Sequence, residues 1–187
     1  DEGTLTRTSR QIAEQIDFVG GSLEAHAAED FTTASTRVLK KDADLGFALL
    51  ADMLQHPAFH KQEFERVRTQ ILGEIVSDDD DPGNVAMKAF HQLIFHGHPY
   101  SWPAHGTEET LNKITVADIQ QFHAREYLPN QTILVIVGDL TQDQAAALVQ
   151  THFGSWKKGP PSPYQIKKPA SIERKMVQLI EKDLTQS

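Results

Sequence analysis

A stripe of apolar residues in the middle of the chain requires a helix with one buried face. Apolar residues recur there at spacings of three or four: Phe64, Val67, Ile71 and Ile75. At about 100° per residue these positions fall on one side of an α-helix that begins near Lys61. Glu74 lies at the edge of the stripe, so its carboxylate is expected at the boundary between core and solvent. Such a helix owes most of its stability to packing, so the rest of the chain must supply a surface for it.

Four aspartates and a proline follow the stripe, at residues 78–82. Negative charge stabilises a helix N-terminus and destabilises a C-terminus. We therefore assign the run to the next helix, with Asp81 as its cap and Pro82 at its first position. A calcium loop is disfavoured because the twelfth position counted from Asp78 is Ala89, where such a loop has glutamate.

Other segments predict further helices and a few strands. Helix caps are expected at Ser9, at Asp42 and at Thr115, whose capping partner is Asp118. The segments "SLEAHA" and "FTTASTRVL" predict an antiparallel hairpin with its turn at residues 29–30. The segments "TILVIVG" and "KMVQLIEK" predict two more strands. This order of elements indicates an α+β fold, with a mostly antiparallel sheet and helices packed on one face.

The composition narrows the classes of function. The net charge is −8, with 26 acidic against 18 basic residues, which argues against sequence-independent nucleic-acid binding. Cysteine is absent, so any metal site must use histidine or carboxylate ligands. No apolar run approaches the roughly 20 residues that span a bilayer. No phosphate loop, dinucleotide fingerprint or nucleophile elbow is present.

The sequence alone leaves the roles of several individual residues open. Four of the nine histidines cluster in sequence at His91, His96, His98 and His105, without the i, i+4 spacing that places two ligands on one helix face. Surface or loop-structuring roles are the simpler interpretation of these four. Glu74 is either a functional carboxylate or the partner of a nearby arginine: Arg37, Arg66 or Arg68.

Several segments in register resemble the N-terminal domain of the pitrilysin/insulinase family of zinc metallopeptidases. They include "GTLTRTSRQIAEQIDFVGGSLEA", "EFERVRTQILGEIVSDDDDP" and "HPYSWPAHGTEETLNKITVADIQQFHAREYLPNQTILVIVGDLT". The resemblance implies such a domain over residues 1–158 that lacks its first strand and motif helix. It also implies a linker at 159–174 and the start of a following domain at 175–187.

The resemblance also implies a role for Glu74 in zinc binding. In that family a His-x-x-Glu-His helix supplies two zinc ligands and the general base, and a downstream glutamate supplies the third ligand. Glu74 in "LGEI" occupies the third position, and the motif helix is expected before Gly3. A site with three protein ligands leaves zinc one position for a reactive water. Zinc is thus implied for the family and not expected in this chain, which by itself should not hydrolyse peptides.

Three departures from the family pattern favour a noncatalytic partner domain. This chain has Asp1-Glu2 before Gly3, Glu24 in the strand motif where asparagine is usual, and Val67 where a second acid is usual. Some family members keep the fold without the zinc motif and act beside a catalytic partner. The alternative is part of an active zinc metalloendopeptidase.

The resemblance further implies a chamber enclosed with a second family-type domain or subunit. An extended peptide or unfolded protein would add to the edge of the "SLEAHA" strand, at Glu24, Ala25 and His26, through main-chain hydrogen bonds. Bacterial members of the paired type are commonly exported, so a periplasmic location is expected by resemblance.

Overall fold

The computed structural model describes residues 2–160, 168–173 and 175–181, and it has an α+β fold. In the described residues the helices and strands are α1 (Ser9–Phe18), β1 (Ser22–Ala27), β2 (Thr32–Arg37), α2 (Ala43–Gln55), α3 (Lys61–Asp80), α4 (Pro82–Ile94), α5 (Glu108–Lys113), α6 (Val116–Glu126) and α7 (Gln142–Phe153). Three short 3-10 helices span Lys40–Asp42, Pro99–Ser101 and Pro129–Gln131. The predicted fold class is confirmed.

The chain divides into two compact units. Unit 1 contains the described residues of 1–64 and 115–163, and unit 2 contains those of 65–114 and 164–187. The boundary falls inside α3, after Phe64. The hairpin, α1, α2, α6 and α7 belong to unit 1, and most of α3 belongs to unit 2 with α4 and α5.

Helix caps explain most of the helix starts. Asp81 caps α4, because its Oδ1 accepts a 2.8 Å hydrogen bond from the backbone N–H of Asn84. Thr115 and Asp118 form the predicted capping box of α6. The prediction of Ser9 as the cap of α1 was wrong by one residue: Thr8 forms a capping box with Gln11, since the side chain of Gln11 reaches the backbone N–H of Thr8.

The aspartate run divides between two helices, which corrects its assignment to α4 alone. The helix α3 continues through Asp80, so Asp78 and Asp79 lie in its last turn. Cationic and amide groups of α4 offset this unfavourable charge. The Nζ atom of Lys88 lies 2.8 Å from Asp79 Oδ1, and Asn84 Nδ2 donates to Asp78 Oδ1 at 3.1 Å.

The core of unit 1 holds the hairpin against two helices. Ile12, Ile16 and Leu49 are buried together, and Leu23 of β1 and Val38 pack against them. The helix α2 contacts both strands. Close approach is possible because Gly46 of α2 has no Cβ: an added one would lie 2.9 Å from Val38 Cγ2. The helices α1 and α2 therefore pack on one face of the hairpin.

A buried carboxylate joins the loop before α1 to α2. Asp52 is 8% exposed, and its Oδ2 accepts hydrogen bonds from Thr4 Oγ1 at 2.7 Å, Thr6 Oγ1 at 2.7 Å and Arg7 Nη1 at 2.6 Å. Its Oδ1 lies 3.3 Å from Nδ1 of His56. Burial raises the pKa of Asp52, but the hydrogen bonds and the positive charge of Arg7 outweigh it and hold the pKa below its usual value.

An aromatic cluster joins α6 to the end of α2. The Nε2 atom of His123 lies 2.8 Å from the Leu54 carbonyl oxygen, and its ring stacks on Tyr127 with centroids 4.7 Å apart. Phe59 meets the same ring edge to face. Burial lowers the pKa of His123. Its Nε2–H donates to the Leu54 carbonyl, because a carbonyl oxygen can only accept.

The two other predicted strands are not strands in the described residues. Residues 132–137 have no ladder partner there, although Thr132 is extended with φ −115° and ψ 139°. Ile133, Val135 and Val137 are 90%, 74% and 92% exposed. Residues 175–181 are likewise unpaired, with Val177 94% exposed. Both predictions were wrong here because a β-branched run becomes a strand only when another strand satisfies its main-chain groups.

Only part of the predicted linker can be compared with the structure. Residues 161–167 and 174 of the linker at 159–174, and residues 182–187 of the predicted next domain, lie outside the described residues. The described beginning of the linker is anchored: Gly159 N–H donates to Asn130 Oδ1, and Asn130 Nδ2 donates to the Gly159 carbonyl, both at 3.1 Å. The domain boundaries stay predictions. No described helix combines the length and apolar character needed to cross a membrane.

Candidate functional site

The predicted peptide-binding residues lie on β1, the first strand of the hairpin. Glu24, Ala25 and His26 are all exposed, and they pair in register with Ser35, Ala34 and Thr33 of β2. This antiparallel register brings the polar side chains at positions 24 and 26 to the same face as those at 33 and 35. That face is opposite Leu23, whose side chain packs on the core.

The register determines which main-chain groups of β1 remain unpaired. The Ala28 N–H donates to the Phe31 carbonyl at 2.9 Å, which closes a two-residue turn. Hydrogen-bonded and non-hydrogen-bonded pairs alternate along an antiparallel ladder, so positions 22, 24 and 26 bond to β2. Leu23, Ala25 and Ala27 therefore direct their N–H and C=O groups to the other edge. In the part of the chain that the structure describes, the sheet has two strands and this edge is open.

Glu74 lies in the second half of α3, in unit 2. Its side chain is 43% exposed, as expected for a residue at the edge of the apolar stripe. Gln70, one turn earlier, donates its Nε2–H to Glu74 Oε1 at 3.0 Å. The alternative role of Glu74, as the ion-pair partner of a nearby arginine, is not observed with Arg68. Arg68 instead pairs with Glu65 at 2.8 Å.

His105 is the residue that the structure brings to Glu74. Its Nδ1 atom lies 3.8 Å from Glu74 Oε2, and its side chain is 50% exposed. The sequence interpretation grouped His105 with the loop histidines and missed this contact, since 31 positions separate the two residues and no helical spacing relates them. The one available signal was their shared chemistry: both residue types are zinc ligands.

His98, another histidine of that group, is buried in the loop. His98 is 5% exposed, and its Nδ1 accepts a 3.2 Å hydrogen bond from the Tyr100 N–H. His98 therefore orders the loop, as one of the two simple roles expected for this group. Among the residues described, no three histidine, aspartate or glutamate side chains are close enough to hold one metal ion. Glu74 and His105 supply two donors, which fits part of a zinc site and not a whole one.

Comparison with known protein families shows which family this chain belongs to. The sequence profile of insulinase, peptidase family M16, matches residues 2–108, more than half of the chain. The chain belongs to the insulinase family. A second profile, described as the peptidase M16 inactive domain, matches residues 113–187.

Individual relatives of this insulinase-family chain are bacterial. An uncharacterized zinc protease of Mycobacterium leprae is 35% identical over 154 residues, which cover 82% of this chain and 35% of that protein. The chain thus spans about a third of the length of such relatives. A Pseudomonas fluorescens structure described as a peptidase M16 inactive domain is 26% identical, with a TM-score of 0.84 over 90% of this chain and 41% of that one. Pitrilysin shares the fold, with a TM-score of 0.74 at 23% identity over 91% of this chain and 19% of its own.

Proposed function

We propose that this insulinase-family chain is a noncatalytic part of a peptidase that binds an extended peptide along the open edge of β1. The observation that carries the proposal is the unpaired edge at Leu23, Ala25 and Ala27 beside the exposed side chains of Glu24 and His26. A peptide strand added there gains main-chain hydrogen bonds without specific side-chain recognition, which suits a protein that accepts unfolded chains.

One further point supports a noncatalytic role. The Pseudomonas fluorescens protein with the same fold is described as an inactive domain. In the proposal, the second family-type domain or subunit closes the chamber around the bound peptide and contributes the catalysis.

Peptide binding is expected to slow amide hydrogen exchange on the open edge of β1. The added strand would accept hydrogen bonds from the N–H groups of Ala25 and Ala27, which otherwise exchange with solvent. The measurement is hydrogen exchange of the full chain with and without an unstructured peptide. Unchanged exchange at both residues with saturating peptide would contradict the proposal.

A matched pair of proline variants tests the edge itself. Ala25→Pro removes one outward N–H of β1 and should weaken peptide binding about fivefold or more, because one hydrogen bond contributes about 1 kcal/mol. Ala34→Pro removes the outward N–H of the directly opposite residue on β2 and should leave binding unchanged. Equal losses in the two variants would indicate damage to the hairpin and not to the binding edge.

A second candidate function is an active zinc endopeptidase in which Glu74 is the third ligand. The observation in its favour is that the half-exposed Glu74 carboxylate, in the described residues, bonds to an amide and faces an imidazole. It therefore stays available as a ligand. The chemistry that zinc supplies in such sites is a bound water with a pKa of about 7 that attacks a peptide carbonyl.

Zinc stoichiometry separates the two candidates. For the endopeptidase, the protein as its gene encodes it should contain one zinc per chain, and Glu74→Gln should lose it. For the noncatalytic candidate, neither protein should retain stoichiometric zinc after dialysis. Elemental analysis of both proteins provides the measurement, with circular dichroism to verify that the variant folds.

A further inference from the structure

We propose that the edge of β1 binds peptides with basic side chains in preference to acidic ones, and that Glu24 sets this preference. The inference rests on the proposed function, in which an extended peptide is added to the open edge of β1, and it names the class of peptide. Main-chain hydrogen bonds are common to every peptide at such an edge, so the side chains determine which peptide binds best.

The register of the hairpin places the Glu24 side chain beside an added strand. Glu24 pairs with Ser35 of β2, and its main-chain N–H and C=O groups bond to that strand. On the other side of β1, Glu24 therefore takes a non-hydrogen-bonded position opposite an antiparallel peptide. The two Cα atoms of such a pair are about 4.5 Å apart, so their side chains lie close together. The facing peptide side chain consequently lies next to the Glu24 carboxylate, on the same face of the sheet.

The Glu24 carboxylate is exposed and has no cationic partner among the residues described. Its directly opposite neighbour, Ser35, is neutral. Arg37 is the single arginine or lysine in residues 22–37. Arg37 pairs in register with Ser22 and so lies diagonal to Glu24, on β2 and away from the open edge. A lysine or arginine on the added strand can therefore pair with Glu24 without displacing another cation.

The charge around this edge favours the same class of peptide. The turn that follows β1 contains Glu29 and Asp30, both exposed, and the whole chain carries a net charge of −8. A surface of one sign attracts ligands of the opposite sign over a longer range than a single contact does. Charge complementarity therefore indicates a basic peptide as the occupant of the edge, whereas an acidic peptide would be repelled.

The simpler explanation of a basic preference is the net charge alone. Attraction of that kind depends on the number of carboxylates and not on their positions, and salt screens it. A pair between Glu24 and a facing side chain depends instead on one position in the ladder. A carboxylate elsewhere in unit 1 provides the comparison: Asp143 is exposed in the first turn of α7, and its removal changes the net charge by the same amount.

Two matched peptides test the preference on the full chain. Both are blocked at their ends and alternate threonine with a charged residue, which is lysine in one and glutamate in the other. Fluorescence anisotropy at low salt gives the ratio of their dissociation constants, and the lysine peptide should bind more tightly. Glu24→Gln should reduce this ratio about fivefold, because it removes a favourable pair with lysine and an unfavourable pair with glutamate. Asp143→Asn should leave the ratio close to that of the wild type.

Amide hydrogen exchange of Ala25 and Ala27 with each peptide separates this inference from the proposed function. Protection of both amides, with a ratio that falls in Glu24→Gln and not in Asp143→Asn, supports the preference and the role of Glu24. Protection with an unchanged ratio in Glu24→Gln, or with an equal fall in both variants, overturns this inference and leaves peptide binding at the edge. A wild-type preference for the glutamate peptide also overturns it. Absence of protection with both peptides overturns the inference and the proposed function together.

Discussion

Replacing Asp52 with alanine is expected to lower the free energy of unfolding of unit 1 by about 3 kcal/mol. The carboxylate accepts three short hydrogen bonds at one oxygen, from Thr4, Thr6 and Arg7. Its removal leaves the buried hydroxyl of Thr4 and the positive charge of Arg7 without this acceptor. Buried polar groups that lose their partner cost more than the bond contributed, which is why the expected effect is large.

Urea unfolding, monitored by tryptophan fluorescence, measures the loss of stability of unit 1. The chain has two tryptophans, Trp102 in unit 2 and Trp156 in unit 1. A Trp102→Phe background therefore leaves Trp156 as the reporter of unit 1. Glu14→Gln is the control, because its ion pair with Arg10 is exposed and should contribute under about 0.5 kcal/mol. A loss below about 1 kcal/mol for Asp52→Ala would contradict the prediction.

The same carboxylate predicts the direction of a pH effect. The pKa of Asp52 is lowered in the folded chain, so the unfolded state binds the proton more readily. The stabilisation is therefore fully present above the unfolded pKa of about 3.9 and is lost as the pH falls through the lower folded pKa. The difference between wild type and Asp52→Asn should be constant from pH 7 to 5 and shrink below about pH 4.

Gly21→Ala is expected to destabilise unit 1 by about 2 kcal/mol. A Cβ at this position would lie 2.8 Å from the carbonyl oxygen of Arg37, 2.8 Å from Ile16 Cδ1 and 2.9 Å from Val38 Cγ1. The first contact is with backbone, which cannot rotate away. To relieve these close contacts, β2 and α1 would have to separate at the point where both meet the core.

A second glycine in unit 1 provides the matched control. Nothing lies within 4 Å of a Cβ added at Gly138, so Gly138→Ala should leave stability unchanged or raise it by up to about 1 kcal/mol. Both variants are measured by urea unfolding in the Trp102→Phe background. Equal effects at the two positions would show that close packing is not the reason for glycine at position 21.

Local signals in the sequence were sufficient for much of the helical structure. The helix α3 begins at Lys61 as the apolar stripe requires, and the caps at Asp81 and Thr115 are confirmed. These signals act within one or two turns, so neighbouring residues carry the information. The error at Thr8 was of one position, because Gln11 completes a box that Ser9 cannot form.

Predictions that needed a distant partner were less reliable. The hairpin was found because its strands are adjacent in the chain and joined by four residues, of which the middle two form the turn. Residues 132–137 have stronger strand composition, yet they remain unpaired in the described residues because composition does not supply a neighbouring edge. The run of aspartates was assigned by charge alone, whereas the cation that offsets part of it, Lys88, lies on the following helix.

The sequence by itself determined the family, the α+β class, the position of Glu74 at the edge of a stripe and the strand that carries Glu24, Ala25 and His26. Only the tertiary structure decided which main-chain groups of that strand are open, and that His105 lies beside Glu74. Periodicity and capping depend on residues a few positions apart, so a sequence displays them directly. A contact across 31 positions depends on how a helix and a loop pack, and no local pattern records it.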